Sequence, residues 1–374
     1  MTPNQSILDY FKELDDPRVT GRTLYPLMEI LLLTFCAVLS GAEDWVSIVE
    51  WGEMKLDWLR EFLPFACGIP SHDVLGDVFA ALDAKTFEQC FRNWIQSVCP
   101  ALVGEVVALD GKTVRGSGAK GKGRRAIHLV SAFASQSGIL LGQLKTAEKS
   151  NEITAIPELL DALDVKGAIV TIDAMGCQKT IVDKIVTRGA DYVLAVKSNQ
   201  PTLHEALVEF FDEGIRRGFG GVPCEFQETV DKCHGRIETR RHWTVGQVDW
   251  LMPEQRWNKL SMVGMIESVR EIDDKISTEK RYYIGSIPAN AERFGHVVRN
   301  HWGIENKLHW QLDVSFREDD SRARRGNSAQ NLSTIRRIAL HLLRQDPSRK
   351  IGVKNSRLKA GWSDAYRAKV LGLQ

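Results

Sequence analysis

Three carboxylates in this sequence stand where metal-assisted chemistry on a phosphate would need them. Asp110 follows the apolar run Val106-Val-Ala-Leu109, and Asp173 closes a second one, Gly167-Ala-Ile-Val-Thr-Ile-Asp173, before the small-residue turn Ala174-Met-Gly176. An aspartate at the end of a buried strand is a frequent site position, because the strand is rigid and the loop after it is open. The third, Glu305, lies in His296–Asp313, which reads as a helix. At helical spacing Val298, Trp302, Glu305, His309 and Leu312 share a stripe, so this carboxylate falls on a mostly apolar face. Burying an unpaired charge costs several kcal/mol, so such a group is salt-bridged, neutralised or bound to a cation. A salt bridge to Arg299, Lys307 or a histidine is the simple alternative. Two strand-end aspartates and a helical glutamate are also the hard oxygen ligands that a pair of Mg²⁺ ions requires for in-line displacement at phosphorus. Spacing alone does not select that reading, since any α/β enzyme has strand-end aspartates.

The elements that must position these groups can be read from periodicity. Residues 1–100 are helical in pattern: Leu27 to Leu39, Trp45 to Leu63, a segment from Pro70 in which Ser71 is a candidate N-cap, and Phe87 to Val98 before Pro100. From Glu105 the texture turns to strand. Val106–Leu109 precedes a hairpin of Ile127–Ser135 and Ile139–Thr146. A helix follows with Ser150 as its cap and Ile153, Ile156, Leu159, Leu160 and Leu163 as its apolar face, then the strand ending at Asp173, a second helix stopped by Gly189, and Tyr192–Val196 with the polar turn Lys197-Ser-Asn-Gln-Pro201. Alternation of this kind predicts an α/β fold. Beyond a helix from Leu203, the strands Glu225–Lys232, Arg236–Val245, Ser261–Val269 and Arg281–Ile287 read as a β-rich insertion, and Asn290 is the expected N-cap of the Glu305 helix. The expected organisation is an all-helical domain (1–100), a core (101–204 and 289–345), a β-rich insertion (205–288) and a basic C-terminal tail (346–374).

With 374 residues, 43% of them hydrophobic, the chain can build real cores. Its longest apolar run, Leu27 to Leu39, contains Glu29 and Thr34 and is shorter than the roughly 18 apolar residues that span a bilayer. The N-terminus lacks a basic start and apolar core, so the cytoplasm is the expected location and no membrane is expected as partner. Seven scattered cysteines without a CxxC pair suit reduced thiols. The net charge of +1 conceals an asymmetry: residues 1–60 hold ten acidic and five basic side chains, whereas 336–374 hold ten basic and two acidic ones. Residues 111–125 carry five glycines, Lys112, Arg115, Lys120, Lys122, Arg124 and Arg125, and no acid. Both stretches point to a polyanion, nucleic acid first.

The motifs Asp16-Pro-Arg18, Gly68-Ile-Pro-Ser-His-Asp73, Ala108-Leu-Asp-Gly-Lys112, Thr171-Ile-Asp-Ala174, Lys197-Ser-Asn-Gln200, His234-Gly-Arg-Ile-Glu238, His301-Trp-Gly-Ile-Glu-Asn306, Leu308-His-Trp310 and Leu312-Asp-Val314 together carry a family resemblance. Over nearly its full length the chain resembles the DDE transposases of bacterial insertion sequences, in the ISAs-type group that includes the H-repeat-associated proteins. The resemblance implies an RNase H-like core in which Asp110, Asp173 and Glu305 hold two Mg²⁺ ions, with Mn²⁺ able to substitute. It also implies an associated N-terminal helical domain, double-stranded DNA as substrate and target, and a homodimer in the synaptic complex. The implied reaction is cleavage at the element's end to release a 3′ hydroxyl, which then attacks target DNA. Expected DNA contacts are the 111–125 cations together with Lys197, Asn199, Arg236, Arg299, His301, Trp302 and Lys307. The wider superfamily has tyrosine, arginine and lysine where this chain has Val298, His301 and Leu312. Glu318-Asp-Asp320 is a competing source of the third carboxylate. A nuclease that does not join strands, or a domesticated DNA-binding protein, are the rival readings.

Overall fold

Apolar residues at three- and four-residue spacing fold the first hundred positions into helices, as the pattern predicts. The computed structural model describes residues 6–19, 21, 23–119, 121, 123–147, 152–233, 235–251, 257–273, 275–346 and 351–373. After a 3-10 turn (Ile7–Phe11) come α1 (Leu27–Leu39), α2 (Trp45–Met54), α3 (Leu56–Leu59), α4 (His72–Ala81) and α5 (Ala84–Val98). Asp44, Ser71 and Asp83 cap α2, α4 and α5 by accepting from backbone amides. Every residue of α1 except Met28 is buried. A helix apolar on all sides has to be wrapped on all sides. Much of the wrapping comes from the far end of the chain.

The core follows with β1 (Val106–Val114), β2 (Ile127–Ala134), β3 (Ile139–Lys145), α6 (Glu152–Asp161), β4 (Ile169–Ile172), α7 (Lys179–Thr187), β5 (Asp191–Val196) and α8 (Pro201–Arg217). The expected helix cap Ser150 lies outside the described residues. Strands β1 to β3 form an antiparallel meander, while β4 and β5 run parallel to β1, reached through the crossovers α6 and α7. This is the RNase H-like arrangement, with a helical N-terminal region before it.

The next strands, β6 (Cys224–Cys233), β7 (Arg236–Val245), β8 (Met262–Ile272) and β9 (Lys275–Gly285), are not set apart from that core. One nine-stranded sheet runs β3-β2-β1-β4-β5-β9-β8-β7-β6. The junction is β9, whose Tyr282–Gly285 pairs with β5 on one edge and with β8 on the other. Its burial explains this. Residues 275–280 are exposed, whereas Tyr282, Tyr283 and Ile284 are buried. The apolar half therefore enters the central sheet and the polar half stays in a projecting ribbon.

The helices α9 (Ala291–His301) and α10 (Trp310–Phe316) return to the sheet, and α11 (Ser328–Gln345), α12 (Val353–Trp362) and α13 (Asp364–Leu371) pack on the N-terminal helices. Asn290 caps α9, accepting from the Arg293 amide at 2.8 Å. The C-terminal segment differs from the expected basic tail. Among its cations Arg336, Arg337, Arg357 and Arg367 are buried. Arg357 donates to Val38 O (3.0 Å) and Ala42 O (2.9 Å) at the end of α1 and to Ser315 O (2.6 Å) of α10. Arg367 lies against the rings of Trp51 and Trp58, its guanidinium carbon 3.9 Å from the centroid of the latter. These arginines hold helices together and offer nothing to a phosphate.

Glu318, in the turn after α10, is fully buried against an equally buried Arg337 at 2.7 Å, accepts from Ser333 at 2.7 Å, and has Lys112 of β1 at 3.6 Å. It cannot be the third site carboxylate. Of its neighbours in the acidic run, Asp320 pairs with Arg317 as expected. Desolvation pushes the Glu318 carboxyl up, but the charges of Arg337, Lys112 and Arg336 outweigh it and hold the group at about 2, below the ordinary 4.5. A carboxyl depressed in the folded state stabilises fully above its unfolded value and loses that contribution as pH falls toward the folded one. Glu318→Ala should therefore lower stability near neutral pH by about 3–5 kcal/mol, since it strands a buried guanidinium. Urea midpoints should show the gap between wild type and variant closing from pH 4.5 toward 2.

Candidate active site

Strand length sets the place of the two aspartates. The last rung between β1 and β4 is Leu109 against Ile172, so Asp110 and Asp173 are the next residues on adjacent parallel strands. There β4 ends, but β1 does not: Asp110 to Val114 continue against β2, with Asp110 opposite Ser131. Asp110 is thus inside a strand on one edge and at an open end on the other, a correction to the strand-then-loop reading. Asp173 caps the turn after it, its Oδ1 accepting from Met175 N (3.1 Å) and Gly176 N (3.3 Å). From the end of β5, Asn199 donates to Ala174 O at 2.6 Å and fixes the same turn. Asn199, expected at DNA, serves this turn.

The Glu305 segment is not one continuous α-helix. Between α9 and α10, Ile304–His309 winds as a π-helix. A π turn widens the helix by one residue per turn, rotates the side chains after it, and is often found at functional sites. Ile304, Leu308, His309 and Leu312 are buried, Glu305 is exposed, and Trp302 is 39% exposed beneath the Arg281 guanidinium at 5.1 Å. The apolar stripe drawn from regular spacing therefore breaks at this turn. Gly303 backs against Ser135, where an added Cβ would sit 3.2 Å from the serine's own.

Charge ties the three carboxylates together. Burial pushes the Asp173 carboxyl up first, and the charges of Glu152 and Asp110 raise it further, against the pull of the Gly176 and Met175 amides. The Glu305 carboxyl is likewise raised by burial and then by Asp110, with His309 and Arg281 opposing. His309 Nδ1 lies 3.4 Å from Asp110 Oδ2. Among the described residues no three Asp, Glu, His or Cys side chains stand close enough to form a finished ligand cage. The Asp110 charge raises both Asp173 and Glu305, and carboxylate oxygens are the kind of donor that hard divalent cations of the Mg²⁺ class take.

Several expected DNA contacts are occupied elsewhere. Lys112 is buried and bonds Asp313 (2.7 Å) and Asp319 (3.0 Å). Lys307 donates to Ser135 O at 2.8 Å, and His301 Nδ1 bonds Thr171 Oγ1 of β4 at 3.0 Å. Burial pushes the His301 ring down from its ordinary value, toward the neutral form. Arg299 faces Asp231 at 3.3 Å, and Arg236 faces Glu238 at 3.4 Å. Arg115 is exposed beside Asp319, Arg124 is exposed and bonded to the Arg324 carbonyl, and Arg125 and Lys197 are exposed. Lys120 and Lys122 lie outside the described residues.

Comparison with known proteins gives the family. The family described as "Transposase DDE domain" matches residues 101–342, and that described as "DDE_Tnp_1-associated" matches residues 8–95. The chain belongs to the DDE transposase family. YncI of Escherichia coli O157:H7, provisionally named a transposase, is 45% identical over 98% of this chain and 94% of its own. The H repeat-associated YhhI of E. coli K12, named in the same provisional way, is 42% identical over 98% of both chains. Among solved structures, a piggyBac transposase synaptic complex with hairpin DNA matches 95% of this chain and 75% of that one, with TM-score 0.44 and 11% identity.

Two further residues of this transposase lie beside the site without having been visible in the motifs. Glu152 Oε1 bonds His128 Nε2 at 2.8 Å, and His128 Nδ1 bonds Thr113 Oγ1 at 2.9 Å. The available signal was Gly111, because a glycine inside a strand marks close approach of another group. For Lys112, the expectation is structural. Lys112→Met should lower stability by about 3–5 kcal/mol, as it leaves buried Glu318 and its neighbours short of a cation. The slope of log affinity against log salt for duplex DNA should stay at the wild-type value, because no phosphate contact is lost.

Proposed function

We propose that this chain is a DNA transposase that cuts at the ends of an insertion sequence and joins the freed 3′ hydroxyl to target DNA. What supports the reading is that Asp110 and Asp173 follow the last rung shared by β1 and β4, and that Glu305, on a π turn, lies near enough for the Asp110 charge to raise its carboxyl. These three residues would hold Mg²⁺ or Mn²⁺, two ions. When bound, the ions supply charge neutralisation at the phosphate and a more acidic attacking water. The chain's own residues orient the carboxylates: amides and Asn199 fix Asp173, His309 stands against Asp110, and the packed Ile304 and Leu308 hold the turn that presents Glu305. Both steps are in-line displacements at phosphorus, so no Ser, Cys or Tyr nucleophile is called for.

The substrate is double-stranded DNA, with element ends and target bound in turn. Arg115, Arg124, Arg125 and Lys197 are exposed cations that can meet its backbone. Exposed Trp302, with Arg281 on its face, can stack on an unpaired base. Bringing two ends together calls for a homodimer, working in the cytoplasm where the DNA is. Among the described residues no helix is long and apolar enough to cross a membrane.

The test uses end-labelled duplexes carrying the element's terminus, with Mg²⁺ or Mn²⁺, and a plasmid target. Wild type should nick and then join. Asp110→Asn, Asp173→Asn and Glu305→Gln should each lower the rate about 10³-fold, the several kcal/mol such a site contributes at the transition state. Cleavage without joined products would identify a nuclease, and no cleavage in either metal would identify a domesticated DNA-binding protein.

A further inference from the structure

We infer that two interlocked arginine loops at the far end of β1 form a clamp for duplex DNA, gripping its backbone about five base pairs from the bond cut at Asp110. The place of the cut rests on the proposed reaction, whereas the grip itself calls for no metal. The first loop, residues 115–125, follows β1 and carries Arg115, Arg124 and Arg125, all exposed. The second, residues 321–327, precedes α11 and carries Arg322, Arg324 and Arg325, of which the first and last are exposed. Neither stretch contains an acidic residue.

The loops are distant in sequence and locked together in space. Arg324 Nε donates to Gly116 O at 2.8 Å, and Arg124 donates to the Arg324 carbonyl. Gly116 lets the backbones meet, since an added Cβ would stand 2.3 Å from Ser321 O and 2.6 Å from Asp319 O. The second loop is pinned from its other side as well. Gly326, at φ +48°, lies against the end of α4, where a Cβ would come within 2.3 Å of Ala80 O. Asn327 donates from its backbone to Ala80 O (3.0 Å) and from its side chain to Leu82 O (2.9 Å). In the first loop buried Ser117 donates to Val114 O at 2.6 Å and accepts from Ile127 N at 2.8 Å. Backbone is therefore fixed in both loops while arginines stand outward, and cations held this way lose little freedom on meeting a ligand.

Stability does not account for the cluster. Arg325 pairs with Asp77 and Arg115 with Asp319, both at exposed guanidinium groups, and Asp319 is already shared with Lys112. Exposed pairs of this kind contribute little. Arg124 and Arg324 bond to carbonyls, which satisfies their donors without balancing their charge. Like charges gathered on one surface repel, and a polyanion is what relieves them. Duplex DNA is the polyanion selected by position. Arg115 is five residues beyond Asp110 along β1, about 17 Å at the rise of a strand. That distance is about five steps of a duplex, at roughly 3.4 Å per base pair. A helix with its scissile phosphate at Asp110 that runs along β1 thus meets the arginines of both loops with its backbone.

Anisotropy of a labelled duplex of about 30 base pairs carrying the element's terminus, in EDTA and between about 50 and 200 mM salt, tests the clamp. The double variant Arg322→Gln, Arg325→Gln should bind about 50-fold more weakly than wild type near 0.1 M salt. Its slope of log affinity against log salt should be shallower by about 2, as the loss of two phosphate contacts requires. Arg217→Gln, which removes an exposed cation from α8, should match wild type. A methylphosphonate about five base pairs from the cut, on one side of it, should weaken wild type and leave the double variant unchanged. Should the double variant not fold, as judged by its unfolding midpoint, Arg115→Gln on the other loop carries the comparison with a slope change of about 1. A folded variant with wild-type affinity and slope would overturn the clamp, as would an equal loss in Arg217→Gln. A methylphosphonate effect that persists in the double variant would overturn its position. If the variant loses duplex binding and wild type neither nicks nor joins DNA in Mg²⁺ or Mn²⁺, the clamp stands and the transposase reading fails.

Discussion

The buried contact between Glu318 and Arg337, with Lys112 beside it, is the constraint on which the site's geometry depends. It joins the turn after α10, the long helix α11 and strand β1 at a point where neither Glu318 nor Arg337 has exposed side-chain surface. Such a pair is a weak source of stability compared with apolar residues of the same volume. Its value lies in specifying register. Lys112 is two residues from Asp110, about 7 Å along the strand, so fixing Lys112 against Asp313, Glu318 and Asp319 fixes how far α10 and the π turn before it lie along β1. Slippage by one residue would turn the lysine to the other face and bury carboxylates without a cation.

A second constraint is the mismatch between neighbouring strands. β1 has nine residues and β4 has four, so the sheet is notched where β4 gives out. The notch leaves Asp110 without a partner strand on one edge and lets groups from both faces of the sheet approach the same place. Continuity on the other side of β5 serves the opposite purpose. Through β9 the sheet carries on without a break to β6, and the helix that leads to Glu305 begins after five intervening residues from the end of β9. The long excursion between Asp173 and Glu305 is therefore an extension of the sheet that brings the chain back to its own centre.

Much of this was legible in the sequence. The helical first hundred residues, the hairpin, the α/β alternation, the caps Ser71 and Asn290 and the family itself followed from periodicity, capping chemistry and motifs. What escaped was decided by contacts distant in sequence. A basic tail looks the same whether its arginines meet phosphate or, like Arg357 and Arg367, meet helix carbonyls and indole rings. Lys112 sits in a glycine-rich basic stretch, and only the return of α10 reveals its acids. The π turn at Glu305 defeats any argument from regular helical spacing, because the stripe is drawn for one geometry and the chain adopts another. Glu152 was hidden for a simpler reason: a glutamate at a helix start is ordinary, and its proximity to Asp173 is a property of the fold.

Electrostatics finally explains why the carboxylates can coexist. Asp173 and Glu305 are both raised by burial and by neighbouring acids, so the folded protein stores repulsion at the notch. Perturbed groups of this kind concentrate at functional sites because the arrangement that a reaction needs is not the one that stability would choose. Neutralising the notch with a lysine would remove the repulsion, and the chain has lysines within reach in sequence, but it ties them down on either side. Lys112 is held below by three acids and Lys307 by a backbone carbonyl. The repulsion is thus maintained by specific contacts, and under the proposed function a mobile cation would relieve it.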